Sequence, residues 1–502
     1  MPRSRPRRLR ARACACVALV SRAVVFARGA SVTTGTFAFT SSEATRALER
    51  WTSASEGLGR AGEISSAIRV VATTEGAGRG VATTRDVTRG ELLATVPLEK
   101  CVSTSSARAD ATLWRGLSAR PGASLDGILA AHVLREAFGL GERSAFWPWL
   151  RLLPSETDAA VGWDEDELRE LQGSNVVAFA RAIKKSWREE YDALDFAGLG
   201  VDFPEAFGGE HAAHYTFEKF TWARFVVWSR AIDLKTDSTS APVIRMLVPI
   251  LDMANHAPSG KLLPRWDAKA NAVKIYAGSA FKRNTELRFN YDTKPSQYFL
   301  LQYGFIPEAN PAECVEVTMQ LSQRDNLRER KEALLRRHGL DPTKRNFEWK
   351  VRGLDYDLLA AARIIAMDES ELDDDTSVAL SVSGASVSAK NDARTKAVLL
   401  KSLITSLDGY GTTLGEDNSY IARFNTSSDE LPKKRKRFAV LLRMREKGIL
   451  LASADALFKE LPNEGEELVR RTCEEMFSKE LDECMKRASG TPFASYAKKV
   501  DS

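Results

Sequence analysis

Val248-Pro249-Ile250-Leu251-Asp252-Met253-Ala254-Asn255-His256-Ala257-Pro258 is the stretch from which this chain is best read. An apolar run of strand character reaches Asp252, supplies Asn255 and His256 within four residues, and breaks at Pro258. Amide and imidazole groups at the end of an apolar strand carry donors and acceptors to a buried chain crossing. Taken alone, the same residues would also serve to cap a turn. Further along, Glu286-Leu287-Arg288-Phe289-Asn290-Tyr291-Asp292 forms a second strand ending in a tyrosine, and Leu300-Leu301-Gln302-Tyr303-Gly304-Phe305 sets two more rings about a glycine. Aromatic residues are ordinarily core material; it is their order behind Asn255-His256 that points to a pocket.

Upstream, Ile68–Thr73, Val81–Thr84 and Leu92–Val96 are short β-branched runs separated by turns, the pattern of a β-rich fold. The turn Gly76-Ala77-Gly78-Arg79-Gly80 is not a dinucleotide fingerprint, because strand-like Val81-Ala82-Thr83-Thr84 follows where a helix is required. Helical periodicity runs from about Asp126 to Lys219, and strand character returns at Met246–Leu251, Ala272–Ala277 and Glu286–Tyr291. After Pro311 the chain reads as helices over Asp325–His338, Tyr356–Met367, Ala393–Leu407 and Glu430–Lys447, with a Ser/Asp-rich mobile insert at 373–391. Lys433-Lys434-Arg435-Lys436-Arg437 reads as the exposed start of the last helix rather than a nuclear address. His211 and His214 lack the glutamate and third ligand of a zinc site, the cysteines are scattered, and no Gly-x-Ser-x-Gly elbow is present.

The net charge of +5 is concentrated at one end. Residues 1–42 hold eight arginines and no lysine or acid; setting those eight aside, 64 basic residues face 67 acidic ones. The body is close to neutral and offers no broad basic face for nucleic acid. The leader, residues 1–45, is too short and too charged in its apolar part to span a bilayer, and reads as a disordered organelle transit peptide. Six cysteines in 502 residues do not make a disulfide scaffold.

Together these pieces resemble a SET-domain methyltransferase of the Rubisco large-subunit lysine methyltransferase type. Glu75–Val81, Arg85–Leu93, Phe146–Pro154, Trp222–Arg230, Asp252–His256, Tyr291-Asp292 and Tyr303–Phe305 carry the resemblance in order, followed by Tyr410–Asp417 and Arg443–Leu450. It implies an α+β fold: a β-rich, pseudoknotted SET domain over 60–310 with a helical insert at about 110–220, then an all-α substrate-binding domain over 311–490. It implies S-adenosylmethionine as methyl donor and no metal. Tyr291 would be catalytic. Glu75, Ala77, Arg230, Asp252, Asn255, His256 and Phe305 would bind the donor, and Tyr303 and Asp252 would line the substrate channel. The zinc-binding cysteine cluster of histone-directed relatives has no counterpart, since only Cys314 lies near Tyr291.

The activity so implied is protein-lysine N-methylation of a non-histone protein, the Rubisco large subunit or another plastid protein. That substrate would bind across the SET domain and the helical domain of a monomer, with neither nucleic acid nor membrane as partner. Localisation would be the plastid, with mitochondrion and cytoplasm as alternatives. Histidine methylation is the rival within the class. Ala231-Ile232 after Ser229-Arg230 favours lysine, because the histidine-directed branch is expected to place a polar residue there. A non-catalytic SET-like scaffold is the rival outside it.

Overall fold

The computed structural model describes residues 42–54, 62–72, 78–120, 122–235, 243–343, 346–350, 354–423 and 431–459. Residues 1–41 of the leader, Glu75 and Ala77 of the glycine turn, and 460–490 of the expected C-terminal domain lie outside them. The expected leader, residues 1–45, overlaps folded structure. Ser42 caps a helix Glu43–Ser53, its Oγ accepting from the Thr45 N–H, and Leu48 of that helix is fully buried in the main core. Residues 43–45 therefore belong to the folded chain.

The strands are β1 (Glu63–Ile64), β2 (Ile68–Ala72), β3 (Arg79–Thr83), β4 (Leu92–Pro97), β5 (Val102–Ser103), β6 (Ala231–Leu234), β7 (Ile244–Leu247), β8 (Leu262–Asp267), β9 (Ala272–Ala277), β10 (Glu286–Leu287), β11 (Cys314–Val317) and β12 (Phe347–Lys350). They form small antiparallel sheets in the orders β1-β4-β9-β8, β10-β3-β2, β5-β7-β6 and β11-β12. Six-residue β9 lies between six-residue β4 and β8, and the Val, Ile, Leu and Ala side chains of β4 and β9 enter the core that also holds Val70, Val81 and Leu287.

The crossing inferred from Asn255-His256 is present. β10 pairs with β3, placing Glu286 opposite Ala82 and Leu287 opposite Val81. Two residues past β10, Phe289 bridges parallel to His256: its N–H donates to Asn255 O at 2.8 Å and its carbonyl accepts from Ala257 N–H at 3.1 Å. Segment 286–291 thus runs between β3 and loop 254–262, the threaded arrangement that most folds avoid. Gly260 is required where the two backbones meet, since a Cβ there would stand 2.5 Å from Asn290 N and Phe289 C.

Helices fill the chain between β5 and β6, the longest being Val176–Leu194 and Phe217–Arg230. Beyond Pro311 the regular elements among the described residues are helices apart from the β11–β12 pair, with Tyr356–Ala366, Ala389–Asp408 and Leu431–Lys459 packed around a second core. The expected mobile insert at 373–391 is instead built structure. Asp374 accepts from the N–H groups of Thr376 and Ser377 to start the helix Asp375–Val382, and Ser388 caps Ala389–Asp408. The Ser/Asp richness reflects two N-caps rather than disorder. The basic run is likewise not left in solvent: Lys434 pairs with Asp158, Arg435 with Glu167 and Lys436 with Glu170, all on the insert. Beneath those pairs, Trp163, Leu168 and Leu171 of the insert share one core with Leu300, Leu301, Phe438 and Leu442. The last helix therefore grips both the insert and the short helix Ser296–Tyr303.

Candidate active site

Two local features bring Arg230 and Asp252 together. The helix Phe217–Arg230, capped by the Thr216 side chain, ends at Arg230, where a guanidinium also complements the negative end of the helix dipole. On the other side, strand character stops at Leu247, short of the expected Leu251, because Ile250 sits at φ +73°, ψ −51°. A buried β-branched residue in that region is a strained turn of the kind that gathers at functional sites. The turn leads into a single 3₁₀ turn, Leu251–Met253, that drives Asp252 inward until its side chain is 1% exposed. Arg230 Nη1 donates to Asp252 O at 2.8 Å and to Oδ2 at 3.3 Å, and Trp149 Nε1 of the insert donates to Oδ2 at 2.9 Å. Burial raises the Asp252 carboxyl above its ordinary range, opposed by Arg230 and by the Trp149 hydrogen bond.

Asn255 spans the crossing. Its amide donates to Arg79 O on β3 at 3.0 Å and to Glu286 Oε1 on β10 at 2.7 Å. His256 accepts the Tyr291 N–H at Nδ1 (3.2 Å), which leaves the ring hydrogen of the neutral imidazole on Nε2. Burial, with a smaller contribution from Arg288, lowers this histidine to about 4, so it is uncharged at neutral pH. Tyr291 donates its hydroxyl to Ala254 O at 2.7 Å. Burial pushes the phenol far above its ordinary value, and it remains protonated.

Around these groups the rings are close. Tyr291 lies 4.8 Å from Tyr303 and 5.3 Å from His256, and Phe305 lies 5.9 Å from His256 and 6.5 Å from Tyr291, all between centroids. Phe299 packs 4.4 Å from His256. Gly304, at φ +79°, closes the helix carrying Tyr303, and its backbone lies so near Ala159 that a Cβ would approach the Ala159 nitrogen to 2.5 Å. A small cavity opens among Arg230, Ile232, Asp252, Phe289, Tyr291 and Tyr303.

Of the residues chosen from sequence, Arg230, Asp252, Asn255, His256, Tyr291, Tyr303 and Phe305 are gathered in one place; Glu75 and Ala77 lie outside the described residues. The sequence singles out Ile232 for the choice of acceptor but gives no sign of Trp149, Arg79 or Glu286 as wall or support. Burial of an indole implies a partner for its N–H, but nothing in Phe146–Pro154 says that the partner is Asp252. Several buried polar atoms here have no partner among the described residues: Asp252 Oδ1, His256 Nε2, Asn290 Oδ1, and the Nε of both Arg79 and Arg230. Among the described residues no group of three or more His, Cys, Asp or Glu is placed to hold a metal ion, and no helix is long and apolar enough to cross a membrane.

A small-sheet domain interrupted by helices, threaded at its C-terminal strands and backed by a helical domain, defines a SET-type architecture. The solved structures agree: the chain superposes on the SET domain of LSMT bound to lysine and AdoHcy with a TM-score of 0.65 at 21% identity, covering 84% of this chain and 92% of that one. Rubisco LSMT bound to sinefungin and monomethyllysine gives a TM-score of 0.66 at 21% identity and the same coverage. Residues 322–450 match the Rubisco LSMT substrate-binding family. The chain therefore has the fold of the SET, Rubisco LSMT type, and its residues 322–450 match the substrate-binding domain of that type. Curated relatives include the actin-histidine N-methyltransferases of Canis lupus familiaris and Homo sapiens, each 27% identical over 385 residues and 74% of this chain. The chain spans 62–63% of the length of those relatives.

Proposed function

We propose that the chain is an S-adenosylmethionine-dependent protein N-methyltransferase acting on a lysine of a non-histone protein. The observation that carries this reading is the Tyr291 hydroxyl, buried and protonated, held on Ala254 O beside a narrow cavity walled by Arg230, Ile232, Asp252 and Tyr303. The unpartnered atoms fit the donor, for Asp252 Oδ1 accepts while Arg230 Nε and His256 Nε2 donate. Arg230, Asp252, Asn255 and His256 would hold it, with Phe305 against the adenine and Glu75 and Ala77 from the glycine turn. When bound, that group supplies a methyl already activated by a sulfonium.

The chain's own task is alignment. Fixing an acceptor in near-attack geometry contributes on the order of 7–11 kcal/mol toward the barrier. A lysine near pKa 10.4 must lose a proton to become nucleophilic, and enclosure by Ile232, Phe289 and Tyr303 favours the neutral amine. Tyr291, kept as a phenol, orients the amine through its oxygen and does not act as a base.

The relatives favour a second reading, histidine as acceptor. Ile232 speaks for lysine, because its apolar side chain offers no hydrogen bond to the far nitrogen of an imidazole. We further propose a plastid protein, the Rubisco large subunit among the candidates, as acceptor, and the basic leader as the address. The test is incubation with methyl-labelled donor and either soluble plastid extract or actin, followed by mass spectrometry of the labelled residue. Labelled lysine in a plastid protein is expected. Labelled histidine would replace lysine in the assignment, and binding of donor and partner with no transfer would favour the scaffold. As a direct probe, Ile232→Asn should move activity toward a histidine-bearing peptide.

A further inference from the structure

Among the described residues, the charges around Asp252 do not balance. Two guanidinium groups, Arg79 and Arg230, bear on this one carboxylate, and among the described residues the charged groups acting on Arg79 are Arg230 and Asp252. Burial and the repulsion of Arg230 both lower the Arg79 guanidinium from its ordinary value, so its surroundings disfavour the charge it carries. An excess of positive charge held half-buried is costly unless an anion meets it.

Hydrogen bonding tells the same story. Arg79 is positioned at both ends: its backbone carbonyl is taken by the Asn255 amide, and its Nη2 donates to the Leu152 carbonyl of the insert. Yet among the described residues its Nε–H, like that of Arg230, is buried without a partner, while Asp252 keeps one unpartnered acceptor, Oδ1. Two free donors on cationic groups and one free anionic acceptor complement a zwitterion, in which a carboxylate and an ammonium sit on the same carbon.

We propose that Arg79 is a second guanidinium for the carboxylate of the donor's amino-acid moiety, acting beside Arg230, with Asp252 Oδ1 facing the ammonium. This rests on the donor reading above. It makes β3 a contributor through a side chain, in addition to the glycine turn that precedes it.

The test compares two ligands by calorimetry on the full chain. S-adenosylhomocysteine carries the amino acid; 5′-deoxy-5′-methylthioadenosine keeps the adenosine and sulfur but lacks it. Arg79→Met should weaken S-adenosylhomocysteine about tenfold or more, as loss of a hydrogen bond to a charged group does, while methylthioadenosine changes less than about twofold. Arg79→Lys, which retains the charge without the planar fork, should fall between. An unchanged S-adenosylhomocysteine affinity in both variants, or equal weakening of the two ligands, overturns the assignment and leaves Arg79 a structural tie to Leu152. Failure of the unaltered chain to bind S-adenosylhomocysteine would remove the donor reading itself. The Lys variant keeps the comparison decisive if the Met variant does not fold.

Discussion

At position 291 a single oxygen separates two roles. The hydroxyl donates to Ala254 O and is held neutral by burial, so Tyr291→Phe removes one oriented dipole and little packing. Misplacement of the acceptor by such a loss costs about a hundredfold in rate. Single-turnover transfer should drop by that order while calorimetric affinity for S-adenosylhomocysteine is kept; full single-turnover activity would remove Tyr291 from the mechanism. Gly260 is a second position where one atom decides. A methyl group there meets the backbone of Phe289 and Asn290 at 2.5 Å, and flexible side chains cannot give way on its behalf. Gly260→Ala should destabilise the chain by about 3 kcal/mol or more, in line with overpacking of a core, visible as a lowered urea midpoint. A midpoint within error of the parent would mean that the two segments part easily, and the crossing would then be a loose one.

Among the elements, the last helix, Leu431–Lys459, has the most to reveal. Its Glu446 is wholly buried, accepting from Ser174 Oγ of the insert and from the Tyr410 hydroxyl, each at 2.9 Å. Burial raises this carboxyl from 4.5 to about 7. The native state therefore holds the proton more tightly than the unfolded chain. That contribution to stability is fully present below pH 4.5 and is lost as pH rises through 7. Glu446→Gln should accordingly gain stability over the parent at pH 8, on the order of 2–3 kcal/mol at 1.36 kcal/mol per pKa unit, with little gain at pH 5. Urea denaturation at the two pH values checks this, and an equal shift at both would assign the effect to packing. Beside it on the same helix, Arg443 and Lys447 both pair with Asp417 of the helix Leu414–Arg423, so the last helix takes part in a buried ion cluster as well as carrying a lone carboxyl. The cluster is paired and the carboxyl is not, which is why the latter is the pH-sensitive element.

The whole molecule depends on one junction, where the insert, the helix Ser296–Tyr303 and the last helix meet. Arg435 donates to both oxygens of Glu167 and to Thr157 O, and Arg445 ties Ser296 and Glu308 from the same helix. Arg435→Ala should lower stability by about 1.5–3 kcal/mol, the scale for hydrogen bonds to charged groups, and raise KM for a protein acceptor with donor affinity unchanged. Unchanged KM would show that the apolar core beneath suffices to hold the domains together. The residue pattern alone determined much of this protein: the β-rich start, the helical tail, and the run from Asp252 through Tyr291 to Phe305, because strand and helix periodicities and a motif of fixed spacing are local properties of the chain. It misled at 373–391, where Ser and Asp looked like solvated linker, since composition does not say whether a side-chain oxygen faces water or the first N–H groups of a helix. Tertiary structure alone decided that Trp149 and Arg79, each over a hundred residues from Asp252, stand around it, that Lys434, Arg435 and Lys436 meet acids of the insert, and that Asn255 ties β3 to β10. Those relations follow from which segments are threaded past one another, and contacts at such separation leave no periodic trace in a single sequence.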